Sequence, residues 1–524
     1  MKTTRRAWIS TAAGLPGLAS SALLRAQETD VTRVKIDAEQ VIARVNPMIF
    51  GSFIEHLGRC IYGGIYEEGS PLSDSQGFRK DVLGAVERLR LPILRWPGGN
   101  FVSSYHWEDG VGPKDSRPRR FDTAWYAEES NRFGTNEFLE YCRRIRSEPY
   151  ICVNLGTGGI QEAANWVEYC NSAGNTYYAN LRRKHGYPEP HGVKYWGLGN
   201  EIYGIWQAGH KNAEDYAKIA LEAGKLMKWT DPSIHLIACG ATPEWNATVL
   251  DVVGPIADYL SVHLYVGGDD YYELLATIRR AEHLLRVTDS VIEVAEAKRL
   301  ASAPAGNIGF PVRGKRIEIA FDEWNVWYRR RDGRERAVRN KLEEPYNLRD
   351  ALWTASMIHL FQRWGDKVTM ANLAQLVNVI APIITSPTGM YLQPTFFPLE
   401  LYRRESGRQA LHTWTHGPSF TSRQFGAVEY LDVCATRDEQ GALAIGVVNR
   451  HKDRALRAEI QVEGMEVRRA GKIYTIDGPS PGARNTFENP GAVGVSARDH
   501  AGFGPRFALE FPPHSVSLLK IWPA

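Results

Sequence analysis

The 524 residues predict a (β/α)8 barrel joined to a C-terminal β-sandwich (jelly-roll-like) domain. Eight short apolar runs alternate with longer segments in which apolar residues recur at three and four positions. Runs that are apolar almost throughout indicate a parallel sheet buried on both faces, and eight of them with crossover helices close naturally into a barrel. From about Gly407 the helical period disappears, and alternating runs lie between turns. A doubly wound open sheet is the competing topology for the first part.

In chain order, residues 1–27 read as a leader. Arg5 and Arg6 precede a weakly apolar stretch, Ala12 to Leu24, and Leu24-Arg25-Ala26 offers a cleavage context. The pattern predicts a twin-arginine export signal, hence a periplasmic or extracellular protein. The stretch contains Gly14, Pro16 and Gly17 and is short of the roughly 20 apolar residues of a spanning helix, so no membrane anchor is expected. Residues 28–45 contain a strand, Val31 to Ile42, expected to pair with the C-terminal sheet.

The barrel is placed at 46–406. Its strands are read at Met48 to Ile54, Leu91 to Trp96, Tyr150 to Leu155, Val193 to Leu198, Ile234 to Cys239, Tyr259 to Tyr265, Ile317 to Phe321 and Val368 to Val377. Helical periodicity runs through Phe78 to Arg90, Asn136 to Arg146, Ala213 to Trp229 and Leu348 to Trp364. The C-terminal domain, 407–524, has strands at Ala427 to Cys434, Ala442 to Val448, Leu456 to Val462, Lys472 to Ile476 and Phe507 to Phe511. The basic run Arg329 to Lys341 follows the seventh barrel strand and reads as a solvated loop, with a substrate-contacting lid as the alternative. The long segment Tyr271 to Arg316 either covers the site or builds an oligomer interface.

Composition narrows the function. Lys and Arg number 63 against 60 Asp and Glu, a formal charge of +3; without the leader's four basic residues the balance is near zero. No general basic surface awaits nucleic acid. Six widely spaced cysteines, with no Cys-x-x-Cys, indicate small buried hydrophobes rather than a zinc site. Fifteen Trp, 23 Tyr and 18 Phe serve mainly core packing and also suit stacking on sugar rings.

In a barrel of this kind the active site forms at the C-terminal ends of the strands. The first run ends in Glu55-His56, the second in Arg95-Trp96-Pro97-Gly98-Gly99-Asn100 and the fourth in Asn200-Glu201. The sixth contains His263 and Tyr265, the seventh leads to Glu323-Trp324-Asn325, and the eighth contains Gln375. Glu201 and Glu323 end strands on opposite sides of the ring, and a facing carboxylate pair is what glycoside hydrolysis requires. His263 either hydrogen-bonds a site carboxylate or is satisfied inside the barrel, and His56 carries the same ambiguity. Trp96-Pro97-Gly98-Gly99 lets backbone approach a ligand or makes a plain tight turn.

Five ordered stretches carry a resemblance: Ile49 to Arg59, Leu94 to Phe101, Trp196 to Glu201, Phe321 to Asn325 and Ala371 to Asn378. In these the chain resembles the α-L-arabinofuranosidases of glycoside hydrolase family 51. The resemblance implies Glu201 as general acid/base and Glu323 as nucleophile of a retaining exo-hydrolase acting on arabinan- or arabinoxylan-type saccharides. It also implies Glu55, Arg95, Asn100, Asn200, Tyr265, Trp327 and Gln375 around the sugar, with Tyr265 orienting Glu323 and Trp327 as an apolar wall. Asn200 could hydrogen-bond the sugar 2-hydroxyl. Acid catalysis near neutral pH asks for a raised pKa at Glu201, which burial and the charge of Glu323 would both supply. A homo-oligomer is implied by the resemblance alone.

No cofactor or metal is called for. Gly156-x-Gly158-Gly159 lacks the dinucleotide pattern, and there is neither a P-loop nor His-Glu-x-x-His. Gly478-Pro479-Ser480-Pro481-Gly482 matches the spacing of a nucleophile elbow, but Pro481 has no N–H for an oxyanion hole. The alternatives are a β-D-galactofuranosidase or endo-glucanase-like hydrolase, and a noncatalytic carbohydrate-binding protein on the same scaffold.

Overall fold

The computed structural model describes residues 31–301, 316–328 and 342–524. The twin-arginine leader and the basic run Arg329 to Lys341 lie outside the described residues. So does the end of the long segment after the sixth barrel strand, whose described part forms the helices Tyr271–Ala276 and Ile278–Ala301.

Chain order begins with β1 (Val31–Arg44), followed by eight barrel strands. These are β2 (Gly51–Phe53), β3 (Ile93–Trp96), β4 (Glu148–Cys152), β5 (Tyr195–Leu198), β6 (His235–Ala238), β7 (Tyr259–Val266), β8 (Glu318–Val326) and β9 (Val368–Ala374). They close in the order β8-β9-β2-β3-β4-β5-β6-β7. Every pairing in the ring is parallel. Val, Ile, Leu and aromatic residues of the strands are buried against helices such as Thr135–Ile145, Ala213–Thr230 and Leu348–Arg363. Side-chain caps start two of these: Asn212 accepts from the Asp215 N–H, and Asn347 with Asp350 forms a capping box.

One strand departs from its sequence reading in a way that shapes the site. The seventh run was expected to end at Phe321, yet β8 continues to Val326 and takes Glu323 inside the strand. Its register slips between Ala320 and Glu323 against β7, and between Phe321 and Trp324 against β9. Side chains of a regular strand alternate faces, whereas a bulge re-aims one of them. Asp322 and Glu323 consequently both reach Arg95 inside the barrel.

The C-terminal β domain comprises β10 (Gln409–His416), β11 (Leu431–Arg437), β12 (Leu443–Asn449), β13 (Leu456–Glu463), β14 (Val467–Asp477), β15 (Gly494–His500), β16 (Arg506–Phe511) and β17 (Ser515–Pro523). With β1 they form one hydrogen-bonded sheet in the order β15-β14-β17-β12-β11-β10-β1-β13-β16. β1 runs antiparallel to β10 and parallel to β13. The sheet encloses its own core, to which Ile36, Val433, Ile445, Ile460 and Leu519 contribute. All six cysteines are buried and free of disulfides.

The helix Leu348–Arg363 lies between barrel and sheet and is buried along nearly its whole length. There the carboxylate of Asp432 on β11 meets Arg363 at 3.1 Å, Arg450 at 3.0 Å and His359 Nδ1 at 3.1 Å. Burial lowers the pKa of His359, and its Nε2 accepts from the Tyr402 hydroxyl at 2.7 Å. One anion thus serves the buried Arg450 and the partly exposed Arg363, and removing it leaves Arg450 uncompensated. Asp432→Asn should destabilise the fold by roughly 3–5 kcal/mol, the usual effect of breaking a buried pair. Denaturant unfolding of the two proteins checks this, and a loss below about 1 kcal/mol would contradict it.

Candidate active site

The polar ends of the strands converge on Arg95, which is 1% exposed on β3. Its Nη1 donates to Glu323 Oε1 at 2.7 Å, its Nη2 donates to Asn200 Oδ1, and its Nε lies 3.6 Å from Asp322. The Tyr265 hydroxyl donates to the other Glu323 oxygen at 2.7 Å. With both oxygens held, that carboxylate has a fixed direction. Asn200 Nδ2 is buried without a hydrogen-bond partner, which leaves a donor for a ligand oxygen.

Glu201 follows β5 through a tight turn. Gly199 has φ +82°, which glycine adopts freely, while Glu201 itself sits at φ +42°. A non-glycine residue there stores strain on the order of 1 kcal/mol or more, held in place by neighbours. The Gly204 N–H donates to the Glu201 carbonyl at 2.7 Å and closes the turn. Glu201 Oε1 lies 2.8 Å from His263 Nδ1, and Oε2 accepts from Trp206 Nε1 at 2.8 Å.

One oxygen of Glu201, one of Glu323 and a ring nitrogen of His263 lie within 4.8 Å of one another. Retaining glycosidases hold their carboxyl groups about 5–5.5 Å apart, inverting ones about 6.5–9.5 Å. The nearest approach of the pair, within 4.8 Å, is closer than an inverting pair leaves for its water and compatible with the retaining range. Among the described residues this trio is also the group with metal-binding geometry. Arg95 and Tyr265 already occupy Glu323, however, and a protonated imidazole has no lone pair for a metal. The donor set suits proton transfer.

His263 is held protonated. Burial alone would lower its pKa, but the charge of Glu323, hydrogen bonds to Asp322 and Glu201, and the charge of Asp322 push it up to about 10. The expectation of a raised pKa at Glu201 is corrected by the same contact. Burial does raise it and is the largest influence, yet the hydrogen bond and charge of His263, with hydrogen bonds from Trp206 and Tyr203, bring it below the ordinary value. Asp322 is buried too, but Arg95 and His263 hold its pKa at about 2.

The proton on His263 links folding to pH. Its folded pKa exceeds the ordinary 6.5, so its contribution is complete below pH 6.5 and is lost as pH rises toward about 10. His263→Gln should therefore show a flatter decline in melting temperature between pH 7 and 10 than the parent. Parallel curves would contradict this.

The other expected residues form the far wall. Burial pushes the Glu55 carboxyl up to about 8, against hydrogen bonds from the Phe101 N–H and from Trp125 Nε1. Gln375 brackets Glu55, donating to Oε2 and accepting its backbone N–H, both at 3.1 Å. A Cβ on Gly99 would come within 2.4 Å of Glu55 Oε2, so the glycine makes room for this carboxylate. Asn100 opens the short helix Asn100–Ser104 and accepts from Gln207 Nε2 at 3.0 Å. The Trp327 ring stands edge-on to Tyr265 at 5.2 Å.

His56 faces away from this chemistry: it bonds Glu129 at 2.8 Å and accepts from Trp96 Nε1 at 3.0 Å. His263 turns out to be at once the carboxylate partner and a histidine satisfied within the barrel, since Nε2 meets Ser261 at 3.0 Å. Trp125, Trp206 and Gln207 escaped the sequence reading because they stand on loops, beyond the strand ends where polar residues were sought. Asp322 escaped because strict alternation would point it away from Glu323.

A closed parallel barrel with two facing carboxylates at its mouth, one held by Arg95 and Tyr265 and the other by His263, defines a glycoside hydrolase. Comparison with known proteins agrees. Residues 85–282 match the family model for alpha-L-arabinofuranosidase 1 domain, and residues 322–515 match that for the alpha-L-arabinofuranosidase C-terminal domain. The intracellular exo-alpha-(1->5)-L-arabinofuranosidase 1 of Bacillus subtilis is 41% identical over 93% of this chain and 98% of its own. The crystal structure of the Thermotoga maritima alpha-L-arabinofuranosidase arabinose complex superposes with a TM-score of 0.85 at 46% identity, covering 94% of this chain and all of that one. The GH51 alpha-L-arabinofuranosidase of Thermotoga petrophila RKU-1 gives 0.85 at 46% identity, covering 93% and 99%. The chain belongs to the α-L-arabinofuranosidases of glycoside hydrolase family 51. The expectation of twin-arginine export does not stand, because the Bacillus subtilis relative is named intracellular and the leader lies outside the described residues.

Proposed function

We propose that Glu323 is the nucleophile and Glu201 the acid/base of a retaining exo-hydrolase that releases terminal α-L-arabinofuranosyl residues from arabinan- or arabinoxylan-type saccharides. The spacing of the two carboxylates carries this assignment. Glu323, oriented by Arg95 and Tyr265, attacks the anomeric carbon while the proton held by the Glu201–His263 pair passes through Glu201 to the departing oxygen. The ester formed on Glu323 removes its negative charge. Glu201, left as a carboxylate by that proton transfer, then draws a proton from the attacking water. Asn200 Nδ2 is suited to the sugar 2-hydroxyl, and Glu55, Gln375, Asn100 and Trp327 supply the rest of the sugar pocket. The division into a catalytic barrel at 46–406 and a β domain at 407–524, joined by 28–45, belongs to the same proposal.

Assays on 4-nitrophenyl α-L-arabinofuranoside, 4-nitrophenyl β-D-galactofuranoside and arabino-oligosaccharides test the substrate. Arabinose released singly from the oligosaccharides supports the assignment. Preference for the galactofuranoside, or binding of sugar without turnover, would overturn it. A homo-oligomer is part of the proposal as well; light scattering that gives a monomer mass would refute it.

A further inference from the structure

Trp206 combines two properties that rarely go together. Its indole N–H is committed to Glu201 Oε2 at 2.8 Å, yet the residue is 53% exposed and follows Ile205, which is 84% exposed. The ring reaches Glu201 by folding back over its own turn: a Cβ on Gly204 would strike it at 2.4 Å. Tyr203 meets the ring edge-on at 6.0 Å. An open aromatic face therefore stands beside the oxygen of Glu201 that His263 does not hold.

We propose that Trp206 selects the leaving group, giving up its hydrogen bond to Glu201 when the departing sugar stacks on its indole ring. This deepens the proposed function and rests on Glu201 being the acid. An exposed indole is a platform for the apolar face of a sugar, and one that touches the acid couples that binding to proton delivery. While Trp206 donates to Oε2 it favours the charged carboxylate; once the ring moves onto the sugar, Oε2 is free to carry the proton that the leaving oxygen takes. His263 and Tyr265 from β7, Glu323 from β8, Cys239 after β6 and Tyr203 on the same turn are the titratable groups around Glu201 among the described residues. Trp206 is the one partner of its carboxylate that is more than half exposed.

Two variants separate the two roles. Trp206→Phe keeps the ring and loses the N–H; Trp206→Ala loses both. The basic limb of kcat/KM reports the acid in the free enzyme, so losing a donor to the carboxylate moves that limb upward. Trp206→Phe should raise it by about half to one pH unit. Trp206→Ala should raise it as well, and should lower kcat/KM on arabino-oligosaccharides about tenfold more than on 4-nitrophenyl α-L-arabinofuranoside, whose leaving group needs no proton. Gly204→Ala, which pushes the ring off Glu201 without removing it, should reproduce the pH shift. Equal losses on both substrates, or a basic limb unmoved in Trp206→Phe, would overturn the proposal. A parent enzyme inactive on every arabinofuranoside would overturn the proposed function instead.

Discussion

Glu323→Ala is expected to lower kcat by a factor on the order of 10⁴ or more, the largest effect of any single substitution in this site. Among the described residues no other carboxylate stands where Glu323 does, between Arg95 and Tyr265. Asp322 meets the Arg95 Nε side, and its oxygens are taken by Tyr150 and Ser261. Because the variant takes from buried Arg95 the nearer of its two anions, Glu323→Gln is the companion measurement. It keeps an oxygen for Arg95 and removes the charge, so a comparable loss with an unchanged fold assigns the effect to chemistry rather than to collapse. Azide enters the space left in Glu323→Ala and attacks the anomeric carbon directly, and the glycosyl azide formed should have inverted configuration. Retained activity above about 1% of the parent in a clean preparation would sink the assignment.

Glu201→Ala should split the reaction by leaving group. On arabino-oligosaccharides, whose departing alcohol must be protonated, a fall of about 10³-fold or more is expected. On 4-nitrophenyl α-L-arabinofuranoside the first step survives, since nitrophenolate leaves without a proton. Hydrolysis of the ester on Glu323 has then lost its base, so a burst of nitrophenol precedes a slow steady state. Azide should accelerate that steady state and yield a glycosyl azide of retained configuration. Equal losses on both substrates with no burst would deny Glu201 the role of acid/base.

The barrel is legible in the sequence because each buried strand is apolar almost throughout, and Glu201 and Arg95 are legible because they terminate such runs. Glu323 is legible as a motif but not in its placement. The slip in β8 that turns both Asp322 and Glu323 toward Arg95 breaks the alternation from which side-chain direction is read. Loops hide the rest of the site. Trp125 sits between the two short strands Arg120–Asp122 and Ala127–Glu129, and Trp206 reaches Glu201 only because Gly204 lets its ring fold back. Neither arrangement has a periodic signature.

The pKa of Glu201 required the same information. Burial and Glu323 were visible from strand order, whereas the pairing of β7 with β8, which sets His263 opposite Glu323 and within reach of Glu201, is a matter of register. In the C-terminal domain, Ala427 to Cys434 reads as one run but divides at Tyr430, between the short strand Gly426–Glu429 and β11. β15 lies at the sheet edge with exposed side chains, so it carries no alternation to read.

Proton NMR of the first-formed sugar, recorded before mutarotation while the protein hydrolyses 4-nitrophenyl α-L-arabinofuranoside, tests the pairing of Glu201 with Glu323 most directly. Double displacement across carboxylates at this spacing predicts that the α anomer appears first. Initial release of the β anomer would mean a single displacement by water, and would contradict the role of Glu323 as nucleophile.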